Sequence, residues 1–180
     1  MSVGIPQSRV ERLAALSEEE QRDFIAKMSP EDILKLDADF EAWHAKGQMP
    51  PPGEGWRTWL MMAGRGFGKT RAGAEWISRV AMSGKRRIAL VSASIDEARS
   101  VMVEGKSGLI AVSAARGVRI KWEPSLGKLT WPSGSVAMLY SGDHPDGLRG
   151  PEFDFAWGTV ADRRADRPRG GGWGACRTAG

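Results

Sequence analysis

The stretch TWLMMAGRGFGKTRAGAEWI, residues 58–77, constrains the fold more than any other part of the chain. Thr58–Ala63 is a short apolar run, too short for a helix between its flanks, and reads as a buried strand. A glycine-rich loop follows. Gly73, Trp76, Ile77 and Val80 then recur at helical spacing through Thr70–Ser83, with Gly84 placed to end the helix. The loop fits the pattern Gly, four residues, Gly-Lys, then Ser or Thr, with the small residue Ala63 in first place and Gly68-Lys69-Thr70 completing it. Such a loop holds phosphates on backbone N–H groups, so the chain must come close to its ligand. Glycines at 64, 66 and 68 permit that approach and the left-handed dihedrals it needs. The helix behind the loop aims unpaired N-terminal amides and its dipole at the same point. Ala63, Gly64, Arg65, Gly66, Phe67, Gly68, Lys69 and Thr70 are therefore the candidate phosphate-binding set. Lys69 would reach the outer phosphates and the Thr70 hydroxyl would ligate magnesium. The plain alternative is a glycine turn that binds nothing. A dinucleotide fingerprint is excluded, because its third glycine would fall at Lys69.

Arg65 has two readings. It could stabilise charge that develops during hydrolysis, or it could pair with a surface acid. Gln48 and Trp56, just upstream of the first strand, are candidates for contact with a base.

Around this unit the pattern continues as strand and helix. Ile88–Val91 is a second apolar run, rich in β-branched residues, and a helix is expected over Asp96–Val103. The β-α-β-α order implies an α/β fold with a parallel sheet covered by helices. From Val118 the signals turn to hairpins, with three short strands separated by Pro-Ser-Leu-Gly and Pro-Ser-Gly turns. His144 lies in the polar loop after them, and Phe153–Trp157 is a further apolar run. Upstream, Ser17-Glu18-Glu19-Glu20 has the form of a capping box, and Ser29-Pro30 starts another helix. Ile33, Leu36, Phe40 and Trp43 follow at helical spacing and predict one buried stripe. His44 reads as a polar residue near a helix end. GQMPPPGEG, residues 47–55, cannot continue a helix and reads as a linker. The expected organisation is thus a helical appendage over 1–46, a linker over 47–55, an α/β domain over 56–158 and a tail over 159–180.

Composition narrows the classes. With 41% hydrophobic and 27% charged residues the chain reads as globular. No apolar run approaches bilayer length, and MSVGIPQSRVERL lacks a signal-peptide core, so no membrane partner is expected. Cys176 is the one cysteine, which excludes an internal disulfide and fits a reducing cytoplasm. The net charge of +4 is uneven: about −4 over 1–46, +5 over 47–158 and +3 over the tail. A mildly basic middle permits contact with phosphates, and it equally suits an ordinary solvated surface.

The segments WRTWLMMAGRGFGKTRAGAEWI, RRIALVSASIDEARSVMVEGKSGLI, WEPSLGKLTWPSGSVAMLYS and DGLRGPEFDFAW resemble, in that order, the ATPase domain of large terminase subunits. These are the DNA-packaging motors of tailed bacteriophages and gene transfer agents. The resemblance covers roughly residues 17–158. It implies a P-loop NTPase three-layer sandwich with a mainly parallel sheet, preceded by N-terminal helices. It implies ATP and Mg2+ as cofactors, and catalytic roles for Lys69 and for Arg65, which stands where the family carries an arginine. It also implies partners: double-stranded DNA, the portal protein, the small terminase subunit and further copies in a homo-oligomeric ring. A nuclease domain completes such proteins. Leu148-Arg149-Gly150-Pro151 matches a family signature, with a contact to nucleotide or a neighbouring subunit as its expected use.

One departure is local. In the family the strand after that signature ends in Asp-Glu, the aspartate holding magnesium and the glutamate polarising the attacking water. Here FDFAWG runs into Thr159 and Val160, which can do neither. Asp162 lies beyond the strand end, and Asp154 reads as structural. The tail TVADRRADRPRGGGWGACRTAG has five Arg, five Gly and no Lys, Leu, Ile, Phe or Met. Arg, Gly, Ala and Pro all have GC-rich codons, so this composition suggests a shifted reading frame near Gly158, with a truncated domain followed by a disordered, non-native tail. The rival is a basic tail that contacts nucleic acid. The expectation is a nucleotide-binding chain with impaired hydrolysis and low solubility. A non-catalytic remnant that docks on packaging partners is the alternative, and a small kinase is disfavoured by the hairpins.

Overall fold

The computed structural model describes residues 13, 15–45, 47–53, 55–160 and 173–178. The chain divides into two compact units, Met1–Ala45 and Lys46–Gly180.

In the first unit, α1 (Glu18–Ala26) starts on a complete capping box. The Ser17 hydroxyl accepts from the Glu20 N–H at 3.3 Å, and the Ser17 N–H donates to the Glu20 carboxylate at 2.9 Å. In α2 (Pro30–Ala38), Ser29 accepts from the Asp32 N–H and Pro30 takes the first position. The expected buried stripe is corrected. Asp39 (φ −77°, ψ 78°) leaves the helical region and separates α2 from α3 (Phe40–Trp43), so positions 33, 36, 40 and 43 no longer share one line. Phe40 is buried, whereas Ile33 and Trp43 are exposed. His44 follows α3, its Nδ1 2.9 Å from the Glu41 carbonyl.

The second unit is α/β. Its elements run β1 (Thr58–Met62), α4 (Lys69–Met82), β2 (Arg87–Ser92), α5 (Ile95–Glu97) with a π-helical turn over Ala98–Val103, then α6 (Leu109–Ala115). β3 (Lys121–Glu123), β4 (Lys128–Thr130), β5 (Val136–Ser141), β6 (Phe155–Val160) and β7 (Trp173–Thr178) follow. The expected helix over Asp96–Val103 is thus largely π-helical. The three expected strands appear as β3, β4 and β5, with Gly127 and Gly134 at positive φ in the turns between them.

These strands make one seven-stranded sheet in the order β1-β7-β6-β2-β5-β4-β3. β2 pairs in parallel with β5 and β6, and the other neighbours pair antiparallel. The parallel ladder is therefore confined to β6-β2-β5. Even so, β1, β6, β2 and β5 all run the same way, because β7 reverses direction between β1 and β6. Part of the expected tail contributes to this sheet. Thr159 and Val160 end β6, and residues 173–178 form β7. β1 and β6 are held one strand apart, each presenting unpaired amides and carbonyls to the space between them. That demand is met by backbone, so a weakly patterned segment can meet it. Residues 161–172, with Asp162, lie outside the described ones.

Register lays the core across the sheet in rows. Trp59, Trp157, Leu90 and Leu139 share one row and are all buried. The helices cover this face. Gly73 of α4 lies so close to Trp157 that a Cβ there would sit 2.3 Å from the indole. Trp76 meets Phe155 edge-on at 5.9 Å. On the opposite face the row Leu60, Gly158, Val91 and Tyr140 is less covered, and Leu60 and Met62 are exposed.

Candidate functional site

The four co-directional strands place their C-terminal ends on one edge of the sheet, where α/β proteins bind ligands. Met62 ends β1 there, and Ala63–Gly68 crosses the edge into α4. Gly66 (φ 84°) and Gly68 (φ 85°) adopt the left-handed conformation that the loop was expected to need. Gly64 does not, and the space beside its Cα is open, as it is at Gly66. α4 begins at Lys69 with Gly68 as its cap residue, and no side chain caps it. Its first N–H groups are left to a ligand or to water. Thr70 is the second residue of the helix and is half-buried.

The Lys69 ammonium turns back over the loop. It donates to the carbonyls of Ala63 at 2.7 Å and Gly64 at 2.8 Å. The loop thus encloses one cation, a set of helix amides and two left-handed glycines. Phe67 is half-buried, and its carbonyl accepts from the side-chain amide of Gln48. Arg65 is exposed, and no carboxylate pairs with it among the described residues. The surface-pair reading of Arg65 therefore finds no partner among the described residues.

Behind the loop, α4 is fixed by a buried acid. Glu75 is 1% exposed and accepts from Arg71 Nε at 2.7 Å and from Arg116 at 2.6–2.7 Å. Arg116 follows α6, so its pair with Glu75 ties α4 to α6, and Arg71, the residue after Thr70, joins the same carboxylate. The spacing of Arg71 and Glu75, four apart on a helix, was visible in the sequence. The second arginine, distant along the chain, was not.

At the end of β6 stands Thr159, whose hydroxyl is 2.8 Å from that of Ser92 at the end of β2. The strand end that the sequence singled out therefore carries two paired neutral hydroxyls. Among the described residues no three His, Cys, Asp or Glu side chains gather as a metal site. Asp154 lies one residue before β6, at the opposite edge of the sheet. It accepts from the Arg87 N–H at 2.7 Å, a structural contact. Arg149 pairs with Asp146 on the surface at 3.3 Å, and His144 leads into the short helical turn Pro145–Leu148. Of the two base-contact candidates, the fold brings Gln48 to the loop. It packs Trp56 instead against Trp76, at 6.1 Å and two turns along α4.

No helix among the described residues is long and apolar enough to cross a membrane. The family model described as terminase large subunit, T4likevirus-type, N-terminal, matches residues 60–158, from within β1 through the loop to Gly158 of β6. No curated protein and no solved structure matches the chain.

Proposed function

The chain belongs to the terminase large-subunit family, which places it in phage DNA packaging, and we propose that it is a nucleotide-binding part of that machinery. The observation that carries this reading is the conjunction at the end of β1: two left-handed glycines, an uncapped helix start and an ammonium folded over the same loop. An ATP triphosphate fits this donor set. The N–H groups of the loop and of the first turn of α4 supply neutral donors, and Lys69 supplies the charge. On binding, Lys69 would exchange the Ala63 and Gly64 carbonyls for phosphate oxygens. Thr70 is the hydroxyl suited to a magnesium ion that accompanies the triphosphate, the ion's chemistry being to neutralise phosphate charge. Arg65, exposed and unpaired with any described carboxylate, is available to an outer phosphate.

Hydrolysis asks for more. A general base near the outer phosphate would come from the end of β6, and there Thr159 and Ser92 hold each other while Val160 has a side chain that cannot take a proton. Binding with little turnover is the consequence. By membership the partners are DNA and packaging proteins in general. Double-stranded DNA, the portal, the small subunit and a homo-oligomeric ring are carried here as proposals on that basis.

The test is calorimetric titration of the full chain with MgATP, beside a phosphate-release assay. Micromolar to millimolar binding that weakens at least about tenfold in Lys69→Ala, from the lost charge-assisted bonds, is expected. Thr70→Ala should lose the magnesium dependence of binding. No binding by the intact chain, or turnover of MgATP that disappears in Lys69→Ala, would contradict the proposal on its first or second half.

A further inference from the structure

We infer that Gln48 is a positioning residue that holds the phosphate loop in its binding shape. The inference rests on the nucleotide-binding reading of that loop and adds to it a residue from outside the motif.

Gln48 lies 19 positions before Phe67 and is half-buried against the loop, with Gly47 (φ 91°) turning the chain just before it. Its side-chain amide donates to the Phe67 carbonyl. That carbonyl belongs to the peptide unit that ends in the Gly68 N–H. No peptide bond of the described chain is cis, so the N–H and C=O of this unit point to opposite sides. Holding the carbonyl toward Gln48 therefore turns the Gly68 N–H away from Gln48. The next peptide unit is fixed as well, since the Gly68 carbonyl accepts from the Ala72 N–H at 2.9 Å as the first bond of α4. The two peptide planes that flank the Gly68 Cα are thus pinned from opposite sides, one by Gln48 and one by the helix. Between them Gly68 is held at φ 85°, a conformation that an unbraced loop would share with many others.

A second observation shows how closely Gln48 is built in. A Cβ added at Gly68 would lie 2.7 Å from Gln48 Nε2. Position 68 favours glycine for its dihedral, and a larger residue there would push the Gln48 amide away from the loop. One of the two N–H donors of the Gln48 amide is thus committed to the loop backbone.

The discriminating experiment uses a ligand with no base. The full chain and its Gln48→Met and Gln48→Ala variants are titrated with magnesium tripolyphosphate, MgATP and MgGTP, and their melting is followed by circular dichroism. Methionine keeps the volume of glutamine and removes the donor, so it separates the hydrogen bond from packing. All three ligands should weaken by a similar factor of about five to ten, the loss expected for one organising hydrogen bond, with Gln48→Met melting as the parent does. Two results would overturn the inference: unchanged tripolyphosphate binding in Gln48→Met with a changed ATP-to-GTP ratio, which would make Gln48 a base reader, or no change with any ligand. If the parent chain binds none of the three, the nucleotide reading fails before any variant is compared, and the inference falls with it.

Discussion

Glu75 shows how one side chain can hold a loop it never touches. A carboxylate with 1% of its surface exposed is stable only with charged donors on both oxygens, and Arg71 and Arg116 supply them. Removing the acid would leave two guanidinium groups facing each other. Each is about a third exposed, so water can recover part of the cost. Glu75→Ala should therefore destabilise by about 2–3 kcal/mol, below the full penalty of a broken buried pair. Chemical denaturation measures this, and a double-mutant cycle with Arg116→Ala should show that most of the loss is shared between the two. An independent, additive loss would mean that α4 and α6 are joined by apolar packing alone. Because Arg71 follows Thr70 directly, the same variant should also weaken nucleotide binding, whereas a surface ion pair such as Arg149–Asp146 can be cut at no measurable cost.

The helix that carries the loop meets the sheet through an absence. Gly73 is a poor helix residue, yet three Trp157 indole atoms lie within 2.6 Å of where its Cβ would be. Gly73→Ala should gain about 1 kcal/mol of helix propensity and lose more to overlap, for a net cost of about 1–3 kcal/mol. The check is a thermal melt, with partial recovery expected in Gly73→Ala paired with Trp157→Phe. In the first unit the sensitive point is the start of α1. The Glu20 carboxylate accepts from the Ser17 N–H and then from the Ser17 hydroxyl, and both bonds hold its pKa below the ordinary carboxylate value. A depressed pKa stabilises the fold fully above the unfolded-state pKa, and that contribution is lost as pH falls through the folded one. The capping box should accordingly open on acidification below the usual glutamate range. The Ser17 amide and Glu20 carboxyl NMR shifts would titrate together, and a Ser17 amide that ignored pH would exclude the box.

Elements such as these were legible where local chemistry decides. The capping box, the strand-loop-helix over 58–82 and the two hairpin turns each follow from residues a few positions apart. The break at Asp39 was not legible, because aspartate tolerates a helix as readily as it ends one there. Nor was the π-helical turn over 98–103. In the loop, the left-handed turns at Gly66 and Gly68 were readable from spacing, whereas the contacts that Gln48 and Arg116 make span 19 and 41 positions. Contacts at such separations come from topology, which a single pattern does not carry.

Topology also decides what holds β1, and with it the loop, in the molecule. Among the described residues β1 is paired with β7 alone, through five register positions from Thr58–Arg177 to Met62–Trp173. β7 in turn joins β6 over six. Take β7 away, and β1 and β6 face each other across roughly two strand spacings, about 9–10 Å, too far for direct hydrogen bonds. Trp59 and Met61 would still press on the helix face, but Leu60 and Met62 are already exposed on the other, so β1 would offer open edges beside an apolar surface. A chain stopped after Val160 should therefore lose its cooperative melt, elute as aggregates in size exclusion with light scattering, and lose MgATP binding together with its fold. The full chain should do better on all three, and Leu60→Lys with Met62→Lys in it should reduce self-association without lowering its melting temperature. Should the shortened chain melt and bind like the full one, residues 173–178 would not be holding β1.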